Sequence, residues 1–504
     1  MPYAKGASFD PDKGCLPMTR EVIIEEIIQW VNSPNTDDVA RIFFLSGVAG
    51  SGKSAIAHTI ANLFEQQKRL GSSYCFDRAD QVNRRLSNLL STIALDMADL
   101  DHQWKTSLRN TVKGNHALQT TLSATLQFQD FILEPAKALT TVGPILVVID
   151  AIDESAEPSS RRVLLTILAK RISELPSNFR FLITARPEQD ILKAFSGNPH
   201  ICCRYMDAID DASNEADIGL FIETQLSDVR DLLELEWPNR LWCHMLIESS
   251  GGLFQWASTA CRAIKEGRGG LRPTERLRAF VSSARGLDGV YLEVLNQAFD
   301  AESCTAMSRF KMVMGRILAA KEPLSVSIHS HLRRDDEPAD LVELIVQPLG
   351  PLLRGVNHLH TPVRPLHASF YDFLTDETRS QAYYVDPLDQ NRSLTLSAFR
   401  VMKSELRFNI CNLETSYCRN TDVPGLTAHV EMTILPHLSY ASRFWSEHLG
   451  ATVYDTDILS EVRDFLHHRL LYWLEILSLI KKVNMASGML RSVLNWNQVS
   501  QNAV

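Results

Sequence analysis

The apolar run Ile42-Phe-Phe-Leu-Ser46 leads directly into Gly47-Val48-Ala49-Gly50-Ser51-Gly52-Lys53-Ser54, and this junction constrains the fold more than any other stretch of the chain. The octapeptide fits G-x-x-x-x-G-K-[ST], a loop that needs a strand before it and a helix after it, here Ala55–Gln67. Gly47, Gly50 and Gly52 allow backbone conformations that a Cβ would strain, so successive N–H groups converge on an anion. The helix opening near Gly52 adds unpaired amides and a positive dipole end to the same spot. Residues Gly47 through Ala55 are therefore expected to cradle the phosphates of a nucleotide, with Lys53 reaching the β- and γ-phosphates and Ser54 coordinating Mg²⁺.

A second acidic element matches the first. Ile145-Leu-Val-Val-Ile149 ends in Asp150, the arrangement of a buried strand that delivers a carboxylate to a metal beside the phosphate loop. Asp150 is expected to hold Mg²⁺ through water, because that ion keeps much of its hydration shell. Ala151-Ile-Asp153-Glu154 follows, so the position directly after Asp150 carries no carboxylate.

Composition excludes several classes. With 45% hydrophobic and 22% charged residues the chain reads as an ordinary globular protein, and its 504 residues suffice for about three domains. A net charge of -9 argues against nucleic acid as the main partner. The nine cysteines are scattered, with no C-x-x-C spacing, which suits reduced cytoplasmic thiols rather than a disulfide framework or a zinc site. Cys202-Cys203 are expected in a buried strand. No secretory signal is visible, and the densest apolar run, Leu470–Ile480, is too short to span a bilayer and contains Glu475.

The apolar pattern predicts an amphipathic helix over 20–31, then strands at Arg41–Ser46, Ser73–Phe76, Ile145–Ile149, Phe179–Thr184 and Ile201–Met206. Strands separated by helix-length segments indicate a mainly parallel sheet covered on both faces. The pattern becomes helical from Asp217, with a hinge or linker at Gly267–Pro273. Residues 306–375 combine helices with the short apolar segments Leu352–Val356 and Val363–Leu366, a winged-helix pattern. His329–Arg334 offers few cations and the acidic Asp335, Asp336 and Glu337 follow, so packing within the chain is favoured over DNA binding. Leu466, Leu470, Leu474 and Leu477 repeat at helical spacing and are expected in a core, with Trp473 and Ile480 widening the stripe.

Taken together, Asp150 with a small residue after it and an acidic pair two positions on resembles the NACHT family of signal-transducing STAND-class ATPases. The resemblance implies Asp153 and Glu154 as water-orienting or general-base groups. Phe179-Arg-Phe-Leu-Ile-Thr184-Ala-Arg186-Pro187-Glu188 looks like the family's sensor strand, which implies that Arg186 reads the γ-phosphate or stabilises charge during transfer. Cys15-Leu-Pro-Met-Thr19-Arg20 is similar to the lead-in of fungal NACHT proteins and nephrocystin-like N-terminal domains, implying adenine contacts from Thr19 and Arg20. Gly251-Gly-Leu-Phe-Gln-Trp-Ala257 looks like the family's helical lid, without the Gly-x-Pro turn of animal NOD-like receptors. Leu366-His367-Ala-Ser369-Phe370 resembles their winged-helix segment, implying a contact from His367 to the β-phosphate of ADP.

The expected architecture is an α/β P-loop NTPase, AAA-like, followed by a helical lid, a winged helix and an all-α region. Its segments are a lead-in helix (1–35), a NACHT domain (36–213), the lid (214–285), the winged helix (286–385) and a C-terminal helical region (386–504). By resemblance the cofactors are ATP/ADP with Mg²⁺, since no guanine-reading N-K-x-D occurs. The resemblance implies an ADP-closed, ATP-open switch with slow ATPase activity and homo-oligomerisation in the ATP state. It extends to fungal nonself recognition or programmed cell death. The chain begins almost at the nucleotide domain and stops inside the helical region, so an effector or repeat-bearing relative is an expected partner. Two alternatives stand beside this reading: a constitutive AAA-type remodelling ATPase, and a truncated scaffold that only binds nucleotide.

Overall fold

The computed structural model describes residues 1–34, 36, 39–80, 83–155, 158–232, 239–266, 271–282, 286–334, 337–415 and 417–501. Residues 267–270 of the expected hinge, the expected lid boundary at 285, and Asp335 and Asp336 lie outside them. The described residues form two compact units, one of residues 1–293 with 367–369, the other of 294–366 with 370–504.

The first unit is built on five strands, β1 (Ile42–Ser46), β2 (Leu70–Cys75), β3 (Ile145–Asp150), β4 (Phe179–Ala185) and β5 (Ile201–Tyr205), in the order β2-β3-β4-β1-β5. Every pairing is parallel. β1, β3 and β4 are buried along their whole length, which is why they read as unbroken apolar runs rather than alternating ones. One face packs Phe43, Leu45, Val148 and Leu182 against α1 (Glu21–Val31) and α2 (Lys53–Gln66) through Ile27, Ile56, Ile60 and Phe64. The other packs Phe44, Val147, Ile149 and Phe181 against α3 (Leu89–Leu100) and α4 (Pro158–Arg171). Cys202 and Cys203 differ from expectation: they lie on the edge strand β5 and are only half-buried. Four further helices follow: α5 (Asp211–Leu226), α6 (Arg240–Ser250), α7 (Phe254–Glu266) and α8 (Pro273–Ser282).

The second unit opens with α9 (Cys304–Ala319), β6 (Leu324–Ser325), α10 (Val326–His331), α11 (Leu341–Val346), β7 (Leu353–Arg354) and β8 (Pro362–Pro365). The three short strands form an antiparallel sheet in the order β6-β8-β7. Longer helices follow, among them α12 (Pro387–Glu405), α13 (Pro436–Gly450), α14 (Thr456–His468), α15 (Leu470–Leu479) and α16 (Ala486–Gln501). The leucine stripe does not run down one helix, because the chain leaves helical geometry at Arg469 (φ -129°) between α14 and α15. Phe465, Trp473, Ile476 and Leu477 are buried, whereas Leu466, Leu470 and Leu474 are half-buried. Trp473, expected to widen that core stripe, is fully buried, and its Nε1 donates to the Ser442 carbonyl at 2.8 Å. Glu475 accepts the Asn409 and Ile410 amides, each at 3.1 Å. Among the described residues no helix is long and apolar enough to cross a membrane.

Candidate functional site

The phosphate loop leaves β1 at Ser46 and returns as α2 at Lys53. Its three glycines have different reasons. Gly50 (φ +82°) and Gly52 (φ +97°) occupy the left-handed region that a Cβ disfavours. Gly47 does not: a Cβ there would come within 2.6 Å of the Met206 Cβ, so glycine is needed for space rather than for φ. Gly50 is crowded too, since a Cβ there would come within 2.7 Å of the Gln255 Cβ, and its carbonyl accepts the Gln255 N–H at 3.1 Å. The loop is thereby tied to the start of α7, in the segment expected to form the lid.

Lys53 is buried, and its Nζ donates to the carbonyls of Gly47 (2.7 Å) and Val48 (2.9 Å) across the loop. Burial lowers its pKa to about 8, while Asp153 and Asp150 push the other way. Those carboxylates sit close enough to act on the ammonium. Ser54 and Val48 are exposed, Ala49 is half-buried, and the Ser51 hydroxyl donates to the Val48 carbonyl at 3.0 Å.

Asp150 is buried at the end of β3, separated from β1 only by β4. From β4, Thr184 Oγ1 donates to Asp150 Oδ1 at 2.5 Å and accepts the Ala151 N–H at 3.0 Å. Ala151 is left-handed (φ 55°, ψ 48°), which turns the chain sharply into Ile152–Glu154. That turn returns Asp153 to the site. Its carboxylate accepts the Arg186 N–H at 3.1 Å and pairs with Arg186 Nε at 3.3 Å. Glu154 lies 3.8 Å from Arg186 Nη2 and accepts the Arg78 N–H at 3.1 Å. Burial, with Asp153 beside it, pushes Glu154 up to about 8. Arg161 holds the turn from beneath, donating to the Asp153 carbonyl (2.9 Å) and bracing on Asp190 and Glu188.

Arg20 also belongs here. Its side chain is 5% exposed, its Nη2 donates to the Ser51 carbonyl at 3.0 Å, and its guanidinium lies over the Phe254 ring at 4.7 Å. Among the described residues its buried Nε and Nη1 have no hydrogen-bond partner, and they lie beside Gly52. Asp217 accepts the Arg20 backbone N–H at 3.0 Å. Thr19 instead donates to the Leu16 carbonyl at 2.6 Å within its own turn. His367, with Ala368 and Ser369, groups with the first unit. Its Nδ1 accepts the Ser369 N–H at 3.2 Å and lies 2.6 Å from the Ser369 hydroxyl, which in turn lies 2.7 Å from the Tyr291 hydroxyl.

Several neighbours of the site carry no signal in the sequence: Arg161, Asp217, His58 and Cys75. Only the fold brings them in. His58 on α2 and Cys75 on β2 lie beside Asp150, with a His58 ring nitrogen, Cys75 Sγ and an Asp150 carboxylate oxygen within 4.8 Å of one another.

A glycine loop between the first strand and helix of a parallel sheet, with an aspartate at the end of a strand two places away, defines a P-loop NTPase. The donor set fits a magnesium-bound polyphosphate: a helix N-terminus without a side-chain cap, a buried ammonium, two guanidinium nitrogens unpaired among the described residues, and an oxygen ligand for a hard cation. Residues 19–186 match the family described as Nephrocystin 3, N-terminal. The vegetative incompatibility protein HET-E-1 of Podospora anserina is 26% identical over 261 residues, 46% of this chain and 18% of its own. The chain thus spans less than a fifth of that relative's length, given the 18% coverage. Among solved structures, one titled "Structure of Drosophila ORC bound to DNA" contains a chain 13% identical with a TM-score of 0.34, covering 66% of this chain and 81% of its own. Over residues 19–186 the chain is thus similar to the nephrocystin-like N-terminal family, and over 46% of its length to a fungal incompatibility protein.

Proposed function

We propose that this chain is a nucleotide-operated signalling switch, closed with ADP and open with ATP and Mg²⁺. The observation that carries this reading is the convergence of Lys53, Asp150, Asp153 and Arg186 at the carboxyl edge of one sheet. Lys53, the Gly47–Ala55 amides and Arg20 hold the phosphates, and Ser54 with Asp150 holds Mg²⁺. Bound Mg²⁺ neutralises phosphate charge and orients the phosphates. Arg186 is the γ-phosphate sensor, released from Asp153 as it turns to the nucleotide.

Hydrolysis is slow in this reading. Asp153 is engaged by Arg186, and Glu154, pushed up to about 8, is largely neutral at pH 7 and a poor proton acceptor. His367 completes the ADP-bound site, as the family resemblance implies. The tie from Gly50 to Gln255 supports transmission from the phosphates to the helical segment at α7. A ligand shifts such an equilibrium only through unequal affinity for the two forms. The open form assembles with further copies of the chain, and the 26% match to an incompatibility protein supports a role in nonself recognition or cell death.

The test is the mass of the purified protein in solution with ADP and with a non-hydrolysable ATP analogue plus Mg²⁺. The switch predicts a small species with ADP and a larger assembly with the analogue. Identical mass under both conditions would remove nucleotide-driven assembly.

A further inference from the structure

Residues 4–15, ahead of α1, form a strap stitched to three elements of the nucleotide-binding domain. Ala4 N–H donates to Thr92 Oγ1 on α3 at 3.1 Å. The Cys75 N–H of β2 donates to the Ala7 carbonyl at 2.7 Å, and Phe9 N–H donates to Ser73 Oγ at 2.9 Å. The strap then crosses to α2, where Asp10 N–H donates to His58 Nδ1 at 3.0 Å and Cys15 N–H to Thr59 Oγ1 at 2.8 Å.

The Asp10 contact fixes the chemistry of a buried imidazole. A ring nitrogen that accepts a backbone N–H carries no proton, so the His58 proton resides on Nε2. His58 lies on the face of the sheet shared by Cys75 and Asp150, which are paired in register across β2 and β3. A ring nitrogen of His58, Cys75 Sγ and an Asp150 carboxylate oxygen lie within 4.8 Å of one another, inside the span of one bridging water. Imidazole, thiol and carboxylate are also the usual ligands of zinc. Coordination through Nε2 would require that nitrogen to lose its proton while Nδ1 still accepts from Asp10, which argues for a donor rather than a ligand.

We propose that His58 is a positioning residue for Asp150, and that through it the strap of residues 4–15 sets how well the site holds magnesium-bound nucleotide. The inference rests on the nucleotide reading above and adds a regulatory input to it. Thr184 holds Asp150 Oδ1 from β4, and His58 orients the carboxylate from the α2 side. Groups that orient a metal-binding residue without touching the metal commonly change affinity by 10–100-fold. Displacing the strap withdraws the Asp10 N–H, frees the His58 ring to turn or change tautomer, and loosens the carboxylate. By linkage the coupling is reciprocal: nucleotide with Mg²⁺ tightens the strap.

The experiment measures ADP affinity of the full chain with Mg²⁺ and with EDTA, for wild type, His58→Leu, His58→Gln, Asp10→Pro and Asp150→Asn. His58→Leu and Asp10→Pro are expected to lower the Mg²⁺-assisted part of the affinity about tenfold, leaving affinity in EDTA within about twofold. Gln offers both an acceptor and a donor, so His58→Gln should restore most of the loss. Hydrogen exchange of the strap amides should slow when Mg²⁺ and ADP are added to wild type, and not in His58→Leu. Equal losses with and without Mg²⁺ would reduce His58 to a structural role and overturn the proposal, as would no loss at all. A stoichiometric zinc removed by Cys75→Ser would also overturn it. Should Asp150→Asn bind as wild type does, the nucleotide reading itself fails, which separates the two failures.

Discussion

Thr184 and Asp150 are joined by a 2.5 Å hydrogen bond in which the Thr184 hydroxyl donates to Oδ1, while the same hydroxyl oxygen accepts the Ala151 N–H at 3.0 Å. One side chain on β4 therefore fixes both the carboxylate at the end of β3 and the turn that brings Asp153 back. Thr184→Val keeps the shape and removes both bonds. It is expected to weaken Mg²⁺-assisted ADP binding about tenfold while the far-ultraviolet circular dichroism stays unchanged. Full retention of Mg²⁺ dependence would show that Asp150 needs no such brace.

Lys53 titrates in an accessible range because burial lowers its pKa to about 8. The charged form binds phosphate, so ADP affinity should be flat below pH 8 and fall as pH rises through that value. Lys53→Arg keeps its charge to far higher pH and should flatten the profile, even if its affinity is lower overall. Calorimetric titrations between pH 6.5 and 9.5 read the difference.

Glu154 sets an opposite kind of pH dependence, on stability. Its folded-state pKa is raised to about 8, above the ordinary carboxyl value near 4.5. Between those values the folded protein keeps a proton that the unfolded chain has lost. The stabilising contribution is therefore complete below about pH 4.5 and is lost as pH rises through 8. Glu154→Gln should flatten that slope in urea unfolding, and an unchanged slope would assign it to another group.

Arg20 joins the start of α1 to the Ser51 carbonyl and to the Phe254 ring. Arg20→Ala is expected to cost about tenfold in nucleotide affinity, from the lost cation–π and hydrogen-bond contributions together. Arg20→Lys should recover part of the charge but not the planar stacking. Equal affinity in all three proteins would remove Arg20 from the site.

For His367→Leu the expected outcome is faster ADP release and more self-association, read by stopped-flow chase and by light scattering. Unchanged release would take His367 out of the switch.

Much of the first unit was legible because its strands are buried on both faces and its loops carry punctuation. All five expected strands form, and the Gly47–Ser54 loop sits between β1 and α2. What escaped the sequence was whatever depends on strand order. Thr184 reaches Asp150 only because β4 lies between β1 and β3, and nothing in the linear order of the strands announces that. His58 was hidden for a related reason: one histidine inside an amphipathic helix has no periodic signature, and its neighbour Cys75 comes from another strand. The leucine stripe held only in part: Leu477 is buried, whereas Leu466, Leu470 and Leu474 are half-buried. Its spacing was helical, but the break at Arg469 reset the phase, so Phe465 and Trp473 took the core positions.

The most direct test of the phosphate site is ADP binding to nucleotide-stripped protein, measured by calorimetry in Mg²⁺ for wild type, Lys53→Ala and Asp150→Asn. The predicted result is one site per chain in wild type, a loss of about a hundredfold or more in Lys53→Ala, and loss of the magnesium dependence alone in Asp150→Asn. Wild-type affinity in Lys53→Ala would contradict the assignment of Gly47–Ser54 as the phosphate cradle.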